Sequence, residues 1–505
     1  MKQRLFVLAA MTAALSVRAE TKTWVAVLAE GETETSAAVA ANWDPAGIPA
    51  ATDDIVLDGD RSNAPMVWTV AATGDSAPAT VASWTQRSTY TARVTMPTTR
   101  TGAFTLFTVT GDATLDGGSW WRAGNAKSDN STAKVWLNVR VGGDLSVGSG
   151  FTFDGYAAGF PKQRGPSQGG EKGSTGGAHG GLGGGGTYGH GTVYGDYRNP
   201  TTLGSGQYGG DNGGGGAVLL DIGGDFVLNG TVSGDAGNTG TGSGQSGGSV
   251  WIRAKTMCGT GTVTANGGSP SNKRAGGGAG RISIQLSDPL WTQATFAANF
   301  TGTIRAIGGL DSKGGSYARV PGASGTIYIE TAGDHGKGVM RLTNRTRGTL
   351  PAHNAVTLVA SGVTWNLSRL DMTVNGRVGV ATGGTLSVPD FSAITGDGSS
   401  ECLFAFIGGE VRSDVKYDKL EADGFHVAAY ATTDFSAYHL VVPADSTLTV
   451  ADGTVLTVGE LTLNGDRLAK GTHSAATLAE TYSNVAGTGS ITVVGLTPET
   501  VILLR

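Results

Sequence analysis

Charge is scarce in this chain. Only 15% of its 505 residues are Asp, Glu, Lys or Arg, and the formal net charge is −5. No basic stripe of the kind that neutralises phosphates occurs, so nucleic acid is not expected as a partner. Cysteine is scarcer still. Cys258 and Cys402 stand 144 residues apart, a separation that favours two thiols over a bridge and leaves stability to strand packing. Helical periodicity is missing too. Nothing repeats at 3.6 residues over a useful length, and no apolar run reaches the length of a membrane-spanning helix. No transmembrane segment is therefore expected in the mature chain.

Glycine is abundant instead, with 84 residues, 41 of them between Gly165 and Gly280. Such a supply often marks a linker. Here β-branched runs separate the glycines and offer periodic apolar surface to bury. Three segments, GGAVLLDI, GGSVWIRA and AGRISIQL, start their strands at Ala217, Ser249 and Arg281, each 32 residues after the last. Each run leads into a second pattern: GTVSGDAG at Gly230, GTVTANGG at Gly261 and GTIRAIGG at Gly302. A fourth start, GTIYIET at Gly325, follows a longer loop. A fixed period of this length predicts stacked units that cannot bury a core singly. The fold class expected is all-β: a right-handed parallel β-helix, or β-solenoid, with glycine-rich loops and capping ends. Val218, Leu220, Val250, Ile252, Ile282 and Ile284 are its candidate core ladders.

The chain divides accordingly. Residues 1–19 have Lys2 and Arg4, an apolar stretch from Leu5 to Leu15 and small residues before a cut after Ala19, the order of a secretory signal. Its removal takes away Lys2, Arg4 and Arg18 and no acid, so the formal charge moves from −5 to −8. Residues 20–66 form an amino-terminal cap in which Trp43 closes the open end. Residues 67–400 are the β-helix, read as the middle of one stack running to about Val494. Residues 401–438 are an irregular insertion or cap, 439–494 a closing module and 495–505 a tail. Within the β-helix, the glycine-rich region 165–216 is expected as ordered loops over one face, with a mobile linker as the alternative.

Two stretches carry a resemblance. ANWDPAGIPAATDDIVLDG resembles the opening module, and LTLNGDRLAKGTHSAATL followed by GTGSITV the closing module, of exported bacterial β-helix proteins of the autotransporter-passenger, adhesin-like kind. Ala265-Asn266-Gly267-Gly268 and the strand entry Gly276–Ile282 resemble the recurring corners of the glycine-rich members of that class. The resemblance implies a secreted or cell-surface protein that displays an extended binding face. It carries over no catalytic residue. Only the tail LTPETVILLR follows the closing module, so the carboxy-terminal β-barrel of autotransporters is not expected.

The residues that could carry chemistry are few. Asp53, Asp54, Asp58 and Asp60 are the candidate carboxylates for a polysaccharide lyase or glycoside hydrolase, but all sit at turn positions where Asp bonds its own backbone. Asp221 is matched by Arg253 and Gln285 in the repeat, which argues against an ion-binding ladder. GGLGGGG and GGGAGR lack the aspartate of calcium-binding nonapeptides. His179 and His190 have no Cys or acidic neighbours to complete a zinc site, and solvent exposure is expected for both. No metal and no cofactor is therefore expected. The remaining candidates are Tyr188, Tyr194, Tyr197 and Tyr208, four of 12 tyrosines within 21 residues. They either stack on extracellular glycans or a surface protein, or roof the glycine runs and fill the space that absent side chains leave. The second reading is favoured.

Overall fold

The computed structural model describes residues 19–68, 76–96, 106–122, 136–167, 175–185, 191–207, 213–238, 242–270, 274–310, 321–345, 356–399 and 401–496. Residues 1–18 of the expected secretory signal, Tyr188, His190, Tyr208 and the tail after residue 496 lie outside them.

Alternating apolar and polar residues put one face of each strand inside and the other outside. The strand Trp136–Val141 pairs in parallel with Ala217–Ile222, and this with Ser249–Ala254, Arg281–Leu286 and Thr326–Thr331 in turn. The register sets Ala217, Ser249 and Arg281 side by side, so the 32-residue spacing is the chain length between neighbouring strands. The second pattern pairs likewise, with Thr231, Thr262 and Thr303 adjacent. Val218, Val250, Ile282 and Ile327 stack into one buried rib, and Leu220, Ile252, Ile284 and Ile329 into another. At the amino-terminal end the ribs turn aromatic. Trp24, Trp43, Trp68, Trp84 and Trp120 are buried with ring centroids 5.0–6.2 Å apart along the row. Trp43–Asp44 runs antiparallel along Thr21–Trp24, the last parallel strand, and covers its free edge.

The corners have their own ladder. Asn266 donates its backbone N–H to Asp235 Oδ1 (2.6 Å) and accepts from the Ile307 N–H with its Oδ1 (3.0 Å). One residue, through its backbone N–H and its side chain, thus ties the preceding unit to the following one.

The glycines between the strands form a separate layer. Gly277 donates to Gly268 O (3.0 Å), Gly278 to Gly177 O (2.8 Å), Ala279 to Ala323 O (3.0 Å) and Gly280 to Ala265 O (2.7 Å). The fourth bond returns to the neighbour of the first, a three-residue period like that of a polyproline II helix, and not the two-residue period of a strand. Gly244 and Gly247 repeat the rule by donating to Ala275 and Gly278. None of Gly276, Gly277, Gly278 and Gly280 has a positive φ, so glycine is there for close approach. A Cβ on Gly278 would stand 2.7 Å from the Leu182 carbonyl oxygen.

A single stack from Val67 to Val494 was expected. The described residues instead form two large cores and two smaller buried clusters. Thr326–Thr331 turns back and pairs antiparallel with Val339–Thr343, helped by His335 and Gly336 at φ 49° and 85° and by Asp334, which accepts from the Thr331 N–H at 2.7 Å. Ile327 and Ile329 face the first core, whereas Tyr328 joins Met340 and Leu342 in the second. The second core lies between further parallel sheets, one of them running from Thr357–Val359 through Arg377–Ala381, Leu403–Ile407, His426–Ala431 and Leu448–Val450 to Val485–Gly487. The stretch 401–438, expected to be irregular, supplies the strands Leu403–Ile407 and His426–Ala431 of this sheet. Its long apolar positions Phe404, Phe406 and Val427 point into the core, which is why it pairs. At the carboxy-terminal end, Gly471–Ser474 covers Ser490–Val493 antiparallel.

Candidate functional site

Residues 191–203 cross the outer face of the sheet as an irregular strap that carries two of the four candidate tyrosines. Tyr194 is anchored at both ends. Its hydroxyl donates to Leu203 O (2.7 Å) and lies 2.8 Å from Ser205 Oγ, while its carbonyl accepts from Arg281 Nε (2.9 Å). Its ring lies against His179 at 4.6 Å. Tyr197 packs edge-on to Tyr328 (5.2 Å) and beside Trp365 (5.9 Å), half-buried against the second core. Tyr188 and Tyr208 lie outside the described residues. The two described rings thus meet the protein itself, one on each side of the junction between the cores.

Charge fastens the strap. Arg198 grips Glu330 with a two-bond fork, Nε to Oε2 at 2.8 Å and Nη2 to Oε1 at 2.7 Å. The Tyr328 hydroxyl donates to the same carboxylate at 2.8 Å. The Arg198 carbonyl accepts from Ser283 Oγ and Gln285 Nε2, both at 2.7 Å. Two alternate side chains of one strand, Arg281–Leu286, therefore hold one backbone carbonyl of the strap.

Two further strap contacts were not visible in the sequence. Arg281 starts a strand in the 32-residue pattern, yet it is only 4% exposed. Its Nη1 donates to Thr326 Oγ1 (3.2 Å), and burial pulls its pKa down to about 10. His179 was expected to be exposed and is fully buried. Its Nδ1 faces Gly247 O at 2.8 Å and its Nε2 faces Thr202 Oγ1 at 2.6 Å. A carbonyl only accepts, so Nδ1 carries the proton and Nε2 accepts from the hydroxyl. Burial, with the Arg281 charge adding to it, pushes this imidazole down to about 3. Both partners lie more than 20 residues from His179, which is why a sequence window could not find them.

Three of the four candidate carboxylates accept hydrogen bonds from the protein, and Asp54, expected at a turn, lies in the strand Asp54–Leu57. Asp53 accepts from the N–H groups of Ala50 (2.8 Å) and Glu20 (3.1 Å), and Asp54 from the Ser83 hydroxyl (2.5 Å). Asp58 accepts from the Asp60 N–H (3.1 Å) and the Thr89 hydroxyl (3.0 Å), and these bonds hold its carboxyl below the usual range. Among the described residues, no three His, Cys, Asp or Glu side chains are grouped to hold a metal. Both cysteines are free thiols, Cys402 buried and Cys258 half-buried.

On the same face Phe160 and Leu203 pack over Ala217 and Leu219. Asp221 lies between Arg140 and Arg253 in register and pairs with each at 2.8 Å. The Arg253 guanidinium sits over the Trp251 ring at 5.6 Å. No protein-family model, curated protein or solved structure matches the chain.

Proposed function

We propose that the chain is an exported, secreted or cell-surface protein of adhesin-like, structural role, and that it acts by displaying an extended face without catalysis. In this reading the parallel sheets are the walls of a right-handed β-helix. The signal preceding Glu20 directs export, and extracellular glycans or other surface proteins are the partners. The observation that carries the reading is the register. Equivalent positions of successive units fall side by side, so the outward residues form long straight columns, a geometry suited to an elongated partner. Asp53 and Asp58 accept backbone N–H groups at turns and Asp54 accepts a hydroxyl from the neighbouring strand, and the histidine and arginine under the strap serve to hold it.

The test is retention of the purified mature protein on a panel of immobilised polysaccharides and extracellular-matrix proteins, with product release followed in parallel. Retention on at least one surface with no turnover is expected. Turnover of any polysaccharide, or retention on none of them, refutes the proposal.

A further inference from the structure

The outer face of the other long sheet carries a column that neither the strap nor the glycine layer uses. Ser119, Thr152, Thr231, Thr262 and Thr303 follow one another in register on five parallel strands. Their inward neighbours Trp120, Phe153, Val232 and Val263 are fully buried, so the backbone beneath the column is fixed. All five hydroxyl side chains are half-exposed. None of the five hydroxyls bonds to another group among the described residues. Two other hydroxyls, on the strands of Thr262 and Thr231, do find partners. Thr264 donates to Asp235 (3.0 Å), and Ser233 accepts from the Asp235 N–H (3.3 Å). Parallel strands stand ~4.8 Å apart, so the column is about 19 Å long. Next to Ser119 in register is Arg93, stacked on Trp121 at 4.2 Å, which closes that end.

We propose that this column is a binding track for an extended, uncharged, β-linked polysaccharide lying across the strands. The inference rests on the display reading above and names the partner class. A hydroxyl both donates and accepts, so a row of them matches a polymer that repeats hydroxyls along its length. The rung spacing is close to the rise of one sugar residue in such a chain. The column itself holds no charge that an acidic polymer would require. Five weak, evenly spaced contacts give affinity that grows with ligand length.

The track is tested by affinity electrophoresis of the full chain in gels containing xylan, mixed-linkage β-glucan or hydroxyethyl cellulose, with polygalacturonate as the acidic comparison. Thr231→Val with Thr262→Val removes two hydroxyls while keeping shape and strand preference. Thr85→Val with Thr114→Val does the same in another outward column of that sheet. Wild type is expected to be retarded in at least one neutral gel. The first variant should lose at least about tenfold in affinity and the second should match wild type. Three results overturn the track: no retardation in any neutral gel, retardation by polygalacturonate alone, or equal retardation of the Thr231/Thr262 variant. If wild type is instead retained on a matrix protein in the panel above, the track fails while the display reading stands.

Discussion

Replacing Gly280 by alanine separates an ordered glycine layer from a linker by the sign of its effect. Gly280 has no positive φ. In a flexible segment, Gly→Ala at such a position would stabilise the protein by about 0.4–1 kcal/mol through the unfolded chain. In the layer, the new Cβ would stand 2.8 Å from the carbonyl carbon of Gly248 and closer still to its oxygen. The obstacle is backbone on a neighbouring segment and cannot rotate away. Overpacking of this kind costs about 1–3 kcal/mol. Moving the segment also weakens the bonds from Gly280 N–H to Ala265 O (2.7 Å) and from Arg281 N–H to Gly248 O (2.9 Å), at about 1 kcal/mol each. The net expectation is a loss of about 3 kcal/mol. Gly333→Ala is the control, because its Cβ would meet nothing nearer than Thr331 Oγ1 at 4.0 Å, and it should change stability by no more than about 0.5 kcal/mol. Urea unfolding followed by tryptophan fluorescence reads both, since Trp24, Trp43, Trp68, Trp84 and Trp120 all lie in the first core. A stabilised Gly280→Ala protein would refute the layer.

Four further outcomes are expected. His179 has a folded pKa near 3 against an ordinary 6.5, so the unfolded chain takes up the proton first. Its contribution is complete above pH 6.5 and falls as pH drops towards 3, by about 2 kcal/mol at pH 5; His179→Gln should flatten that part of the stability profile, and an unchanged profile contradicts the burial. Glu330→Gln breaks the fork to Arg198 and should cost about 1–2 kcal/mol, with faster proteolysis within 191–207 as the local readout. Asn266→Ala removes the acceptor for the Ile307 N–H and should cost about 1–2 kcal/mol in the same urea assay. Mass-resolved alkylation should label Cys258 slowly in the native protein, because burial raises its thiol, and Cys402 only in urea; a reductant should leave stability unchanged.

Much of the first core was legible because its repeat is a register. Ala217, Ser249 and Arg281 begin equivalent runs and become paired neighbours, and a period of two within each run assigned the inward ribs. The second core was hidden by the same logic. Ile327-Tyr328-Ile329 reads as one more strand with a polar-tipped residue outside, whereas Tyr328 is inside a different core. An aromatic at an outward position, followed by the left-handed turn at His335-Gly336, was the available signal. Composition placed the glycines but not their three-residue hydrogen-bond period, since glycine carries no side chain whose pattern would reveal which neighbour it faces. The tyrosine cluster was visible as composition. Its anchors were not, because Arg281, Ser283 and Glu330 reach it from strands about 90 to 130 residues away, brought beside the strap only by the parallel pairing.

Amide hydrogen exchange of the full chain decides whether the glycine layer is part of the fold, because it reads that layer and the strands together. The amides of residues 277–280, 247–248 and 322–325 should be protected to within about tenfold of the strand amides of 218–222, since both open only when the core does. Exchange of the glycine amides at the rate of an unstructured chain, with the strands still protected, would contradict it.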